Sequence, residues 1–285
     1  MRSRDTSQAG SSAYRRGIVQ VTENAGIETL FETAVVQELE RWHLESLGAG
    51  VLGAIQVKEF FTREQCQQLL DGLAANEMGS YDERVLLPRI AKLGPAAYDF
   101  YRGGELDEAY WLDVEAAKLV RAGLMDGRDP LTVATDKLGA AWGGDVRPAS
   151  ARRRGMFAGI IREIAHGARL HFDEVNREFP GVMDETPISQ LAFNCHLSMP
   201  EAGGEAVVHR RRWSPEDETR REGYGYAEDI AEGYPAATVR PDVGDAILFD
   251  PRNYHLVRQN TGEGRRITLS FFVGITGGGP LTVWS

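Results

Sequence analysis

The chain has 285 residues, 42% of them hydrophobic, and 32 basic residues against 42 acidic ones give it a formal net charge of −10. That length can bury a large core in one or two domains, and the acidic balance argues against a nucleic-acid partner, which needs a basic face for phosphates. Cys66 and Cys195 are the two cysteines and make no disulfide framework or Cys-rich metal site; no apolar run approaches membrane-spanning length and no apolar signal core opens the chain, so the expectation is a cytoplasmic protein with no membrane partner.

In chain order, residues 1–16 are polar and small and read as a disordered start. Residues 17–285 read as one domain: 27–150 a largely helical support, 155–285 a β core. Leu30, Phe31, Val35, Val36, Leu39, Trp42 and Leu47 suit an amphipathic helix over 27–47, stopped by Gly48-Ala49-Gly50. Val51–Phe61 reads as a strand with Ile55 and Val57 on one face. Thr62-Arg63-Glu64-Gln65 is a capping-box signature for the helix that follows. His43 reads as structural or exposed. A further helix is expected over Asp107–Leu124, and glycine pairs mark turns through 77–150.

Strands are expected within Phe157–Asp173, where Arg162 and Glu163 should be paired or face a pocket, because isolated buried charges are costly. Ile188–Met199 alternates, with Asn194, His196 and Ser198 on one face and Leu191, Phe193 and Cys195 on the other. Ala206–His209 reads as a returning strand. Residues 213–232, acidic and aromatic, read as an inserted lid, or else as a surface excursion with no gating role. Ala236–Arg240 and Asp245–Phe249 restore the strand pattern.

Two stretches carry chemistry. In Leu170-His171-Phe172-Asp173-Glu174, residues i and i+2 of a strand point to one side, so His171 and Asp173 can reach one metal ion. His255 lies after a second strand and would be the third ligand. Two imidazoles and one carboxylate suit Fe(II), and by ligand type also Zn or Mn. An HxD pair alone is a weak signal. The second stretch is Arg265-Arg266-Ile267-Thr268-Leu269-Ser270, which places Arg266, Thr268 and Ser270 on one face; an arginine there suits a carboxylate, with Thr268 adding a hydroxyl donor.

His-x-Asp, a distant His, then Arg-x-Thr one strand later resembles the 2-oxoglutarate-dependent Fe(II) oxygenases. Gly203-Gly204-Glu205, Arg211-Arg212-Trp213-Ser214-Pro215, Phe249-Asp250-Pro251-Arg252-Asn253-Tyr254-His255 and the closing Leu281-Thr282-Val283-Trp284-Ser285 resemble a bacterial biosynthetic subgroup that acts on free amino acids: lysine halogenase- and hydroxylase-like and nitro-amino-acid cyclopropanase-like enzymes. The resemblance covers roughly 155–285. It implies an α+β fold with a double-stranded β-helix (jelly-roll) core backed by N-terminal helices. It implies Fe(II), 2-oxoglutarate and O2 as cofactors, with metal on His171, Asp173 and His255 and oxoglutarate on Arg266, Thr268 and His196. Substrate contacts would come from Glu174, Arg162, Trp213 and Trp284.

The reaction so implied is hydrogen abstraction from an unactivated carbon of an amino acid, ending in hydroxylation, or in desaturation or cyclisation. Halogenating relatives carry Gly or Ala where Asp173 stands, so chlorination is not expected. A homodimer is a further expectation. Two alternatives remain open on the residues alone: a non-catalytic jelly-roll binding protein, and a Zn-dependent hydrolase on the same ligands.

Overall fold

The computed structural model describes residues 30–83 and 86–285; the expected disorder of 1–16 lies outside them. The fold is mixed α+β and rich in strands. Its centre is the pairing of β6 (Ser189–Ser198) with β13 (Ile267–Ile275), antiparallel, with Asn194 opposite Ser270 and His196 opposite Thr268. Alternation along these two strands sorts the side chains. Leu191, Phe193, Cys195, Leu269, Phe271 and Val273 join the main apolar core, while Asn194, His196, Thr268 and Ser270 take the other face.

Around this pair the larger sheet runs β1 (Thr33–Val36), β2 (Ala54–Val57), β11 (Ala246–Phe249), β6, β13, β4 (Ile160–Glu163) and β3 (Ala91–Leu93), with β14 (Leu281–Trp284) also on β13 and short edge strands Gly79–Ser80 and Val146–Pro148. The smaller sheet runs β8 (Arg221–Glu222), β9 (Gly225–Tyr226), β5 (Ala168–His171), β12 (Asn253–Val257), β7 (Ala206–Arg212) and β10 (Ala236–Val239). Ala54, Ala192, Ile247 and Phe249 of the first sheet pack against Ala206, Val208, Ala237 and Val239 of the second. Small residues on both faces let the sheets approach at this end.

Helices α1 (Arg41–Gly48), α2 (Arg63–Ala74) and α4 (Pro130–Trp142) cover the outer face of the larger sheet through Leu44, Leu47, Leu69, Leu73 and Leu138. The Thr62 capping box forms: its Oγ1 accepts from the Gln65 amide at 3.2 Å, and the Gln65 side chain accepts from the Thr62 amide at 2.9 Å. Helix α3 (Glu108–Ala122) falls inside its expected range and packs Tyr110 and Trp111 beside Phe157, Ile160 and Trp284.

The expected helix over 27–47 is corrected. Residues 27–29 lie outside the described residues; 33–36 are a strand, parallel to β2 in the register Thr33–Ala54 to Val36–Val57, and among the described residues of that range only those of α1 are helical. Thr33, Val35 and Val36 are β-branched and fit a pleat better than a helical turn. His43 is buried and structural: its Nδ1 accepts from the Glu40 amide at 2.9 Å and helps to cap α1. The N-terminal third is therefore not only helical backing, since β1 and β2 extend the larger sheet.

Candidate active site

Strands β5 and β12 are antiparallel neighbours with His171 directly opposite His255. Opposed residues in such a ladder bring their side chains together, and the two imidazole centroids are 4.2 Å apart. Asp173 continues the β5 line past its last paired residue; its amide donates to the Pro251 carbonyl at 2.9 Å, which keeps the chain extended there. Asp173 Oδ2 lies 3.8 Å from His171 Nε2 and 3.5 Å from His255 Nε2. One donor atom from each residue falls within 4.8 Å of the other two.

The tautomers are set by the backbone. His171 Nδ1 is 2.7 Å from the Arg169 carbonyl and His255 Nδ1 is 3.0 Å from the Asn253 carbonyl. A carbonyl only accepts, so each Nδ1 carries the proton and each Nε2 lone pair is left for a metal. Burial, and then His255, push the His171 imidazole down to about 4. For Asp173 burial works upward, but His171, the neighbouring His255 and Arg162 outweigh it and hold the carboxyl at about 2. At neutral pH His171 is thus a neutral imidazole beside an ionised Asp173 carboxylate, and metal binding requires both forms. The residues fit a divalent metal with an N2O donor set, and Fe(II) among them.

The trio opens into a cavity of about 180 Å³. Arg266, 2% exposed, lines it from the position just before β13. Its Nε donates to the Gly204 carbonyl at 3.0 Å and its Nη2 lies 3.2 Å from His196 Nε2. Burial and then Arg162 push this guanidinium down to about 10, which leaves it charged. No carboxylate of the described residues pairs with it, so the cavity offers a buried cation suited to an anionic guest. Gly204 approaches closely, as a Cβ there would lie 3.2 Å from Arg266 Cδ, and its φ of +77° favours glycine.

Thr268 and His196 stand behind this arginine and not on the cavity wall. Thr268 Oγ1 is 2.9 Å from Ser270 Oγ, which donates to Asn194 Oδ1 at 2.8 Å; Ser270 and Asn194 are the members of that chain that reach the cavity. His196 is fully buried, and burial together with Arg266 keeps its imidazole neutral. Its Nε2 accepts from Arg266 while its Nδ1 faces the Asp245 carbonyl at 3.3 Å. His196, expected at the cosubstrate, here supports the arginine and is not among the residues that line the cavity.

Of the four expected substrate residues, Arg162 lines the cavity and the other three do not. Glu174 turns away to Arg177 Nε at 3.2 Å at the start of the one-turn helix α5 (Val175–Glu178). Trp213 donates its Nε1 to Glu218 at 2.8 Å and carries Arg177 over its ring at 3.9 Å. Trp284 is core, 5.7 Å from the Phe272 ring, because β14 is held on β13 with that residue inward. Glu163 pairs with Arg265 at 2.6 Å.

The cavity gains residues to which the sequence gave no site role: Tyr81, Tyr98, Glu178, Arg221 and Tyr224. Only Glu178 left a trace, as a carboxylate one helical turn past the HxD motif; the tyrosines come from unrelated segments. Arg221 and Tyr224 belong to the 213–232 insertion, which is built into the smaller sheet: Tyr226 pairs with Leu170, and buried Asp217 holds Arg211 at 2.6 Å and the Tyr254 hydroxyl at 3.1 Å.

Fold and donor set together are those of the iron- and 2-oxoglutarate-dependent oxygenases, an oxidoreductase class. Comparison with known proteins narrows this: the chain belongs to the family described as carrier-protein-independent halogenase WelO5, whose model matches residues 38–277. It is 41% identical over 249 residues to the L-gamma-glutamyl-L-propargylglycine hydroxylase of Streptantibioticus cattleyicolor, covering 86% of this chain and 92% of that one. It is 33% identical over 136 residues to the leucinostatins biosynthesis cluster protein S of Purpureocillium lilacinum, covering 45% and 56%. The fold is similar to an N-substituted L-amino acid dioxygenase from Burkholderia ambifaria, with a TM-score of 0.56 and 15% identity over 86% of this chain and 91% of that one. Among the described residues no helix is long and apolar enough to cross a membrane.

Proposed function

We propose that the protein is a 2-oxoglutarate- and Fe(II)-dependent hydroxylase of an amino acid or small amino-acid derivative in natural-product biosynthesis. The carrying observation is the convergence of His171, Asp173 and His255 on one point, with both imidazoles oriented Nε2-inward, in a cavity that also contains Arg266, which has no carboxylate partner among the described residues. In this reading the two sheets are the walls of a double-stranded β-helix, the trio holds the iron, and Arg266 takes the distal carboxylate of oxoglutarate. The relative named for hydroxylating a γ-glutamyl amino acid, matched along most of both chains, supports the substrate class.

Bound iron with oxoglutarate and O2 supplies the oxidising power to remove hydrogen from an unactivated carbon. The chain's own part is binding, orientation and exclusion of water. The carbonyls of Arg169 and Asn253 hold the imidazoles in the ligating tautomer. Gly204 and His196 fix the Arg266 fork, so that an incoming carboxylate meets a preformed donor pair. The 213–232 insertion walls the cavity with Arg221 and Tyr224, and we read it as the lid that keeps bulk water from the bound substrate.

Asp173 also supports hydroxylation over the halogenation in the family's description. Its carboxylate fills the ligand position that a halide would otherwise need. The binding-module and zinc-hydrolase alternatives are not favoured, since neither explains the buried arginine beside an open ligand trio. The test is anaerobic addition of Fe(II) and 2-oxoglutarate, which should give a weak visible charge-transfer band. Oxygen and candidate amino acids, with L-gamma-glutamyl-L-propargylglycine among them, should then yield succinate and a product heavier by one oxygen. Turnover that requires zinc in place of iron would refute the reading, as would the absence of both band and succinate.

A further inference from the structure

Two ionisable side chains of opposite type on the cavity wall, Arg162 and Glu178, have no ion-pair partner among the described residues. Arg162, on β4, has a buried Nε with no hydrogen-bond partner, and its guanidinium stands 5.8 Å over the Tyr81 ring. It forms no ion pair among the described residues. Glu178, at the end of α5, accepts one hydrogen bond, from the Glu174 amide at 3.0 Å. It too forms no ion pair among the described residues. The neighbouring cation Arg221 already reaches Glu218 Oε2 and the Tyr226 hydroxyl, both at 3.4 Å. Partly buried charges are costly unless something pairs with them.

The proposed cofactors do not answer these two groups. A doubly charged iron and a doubly charged oxoglutarate cancel, and Asp173 cancels Arg266. The Arg162 guanidinium and the Glu178 carboxyl, which burial and then Asp173 push up to about 8, remain facing the same space, and an ammonium group beside that carboxyl would favour its charged form. The intervening wall is apolar or aromatic, with Leu86, Ile90, Ile164, Phe179 and the two tyrosines Tyr81 and Tyr98. A guest that matches has one carboxylate, one ammonium and an apolar stretch between or beside them.

We infer that Arg162 and Glu178 form a receptor for a zwitterion, with Arg162 taking the substrate's carboxylate and Glu178 its ammonium group. This rests on the oxygenase reading and deepens it: the substrate is an amino acid or γ-glutamyl dipeptide with a free amine, and Glu178, not Glu174, selects for that amine. Glu174 is committed to Arg177 and faces out of the cavity; Glu178 is not so committed.

The experiment is calorimetric titration of the protein loaded with Fe(II) and 2-oxoglutarate under argon. The probes are the common L-amino acids, L-propargylglycine and its γ-glutamyl dipeptide, each beside its N-acetyl and its carboxamide analogue. For the tightest zwitterion, wild type should disfavour either analogue by about 30-fold or more, as for removal of one partner of a buried ion pair. Glu178→Gln should erase the discrimination against the N-acetyl form and keep that against the amide. Arg162→Gln should do the reverse, and Glu178→Asp should restore part of the amine preference. A merely structural role would weaken all probes together and leave these ratios as in wild type, which overturns the inference. Wild type that releases succinate yet binds no zwitterion more tightly than its analogues overturns it too, and leaves the oxygenase reading standing. Failure to bind iron and oxoglutarate at all would overturn both.

Discussion

The two parts of the cavity wall are made differently. His171, His255, Asn194 and Ser270 come from paired strands, with Arg266 directly before β13, and register decides which residues oppose each other: His171 faces His255 and Asn194 faces Ser270. Tyr81, Tyr98, Glu178 and Arg221 come from a connecting segment, two one-turn helices (Ala97–Phe100 and α5) and a two-residue strand. The first set is fixed by ladders in which a slip of one residue would turn every side chain to the wrong face. The second is fixed only by local packing, such as Tyr101 against Phe179 at 4.9 Å and Tyr98 against Phe179 at 6.4 Å. A wall of this kind can hold invariant chemistry on the ladders while the substrate end varies.

The comparison is tested hardest at Arg266. Replacing it by alanine removes the buried cation and leaves His196 Nε2 without its donor. The expected loss is about 2–5 kcal/mol in oxoglutarate binding, the range for deleting one partner of a desolvated charge pair. Titration of oxoglutarate into the anaerobic iron-loaded variant reads it directly. Unchanged affinity would mean that the cosubstrate sits elsewhere and that Arg266 serves only to join Gly204 to β13.

How far the sequence reached follows the same division. Period-two alternation placed His171 with Asp173 and put Asn194, His196, Thr268 and Ser270 on a common face. Those are local properties of a strand; β6 and β13 carry the second set, while Asp173 lies past the end of β5. Alternation does not say which face residue ends at the wall and which behind it. Thr268 and His196 lie behind Arg266 because Ser270 and the arginine fork come between. Nor does it distinguish Glu174 from Glu178: that depends on α5, a single turn whose position is set by tertiary contacts. Trp213 and Trp284 drew attention as large aromatics near the motifs, but their rings serve packing. The 27–47 helix failed because β1 exists only through its pairing with β2, a partner about twenty residues on.

A second, smaller effect concerns pH. In the metal-free protein the fold holds His171 at about 4, below its ordinary value near 6.5. Folding therefore favours the neutral imidazole. The stability this represents is full above about pH 6.5 and is lost as pH falls from there toward 4, because the unfolded chain takes the proton first. Complete protonation would remove on the order of 3 kcal/mol. Asp173, held at about 2, keeps its contribution through that window and loses it only below. Urea unfolding of metal-free protein at steps between pH 7.5 and 4.5 should show the decline, and His171→Gln should flatten it. Equal slopes in both proteins would place the sensitivity in another group.

The smallest expected effect is the most discriminating for the substrate end. Glu174→Gln breaks an ion pair with Arg177 whose partners are 27% and 45% exposed, and such pairs contribute about 0–1 kcal/mol. Its backbone amide still donates to Glu178 after the change, so the helix turn keeps its geometry. We expect a shift of no more than about 1 kcal/mol in unfolding free energy, with substrate affinity within about twofold of wild type, the span of an ordinary surface substitution. Side-by-side titration with Glu178→Gln then separates two carboxylates that lie four residues apart in the chain. If Glu174→Gln proved the more damaging of the two for substrate, the amine would be read from the start of α5 and not from its end, and the wall would have to rearrange on binding to let Glu174 in.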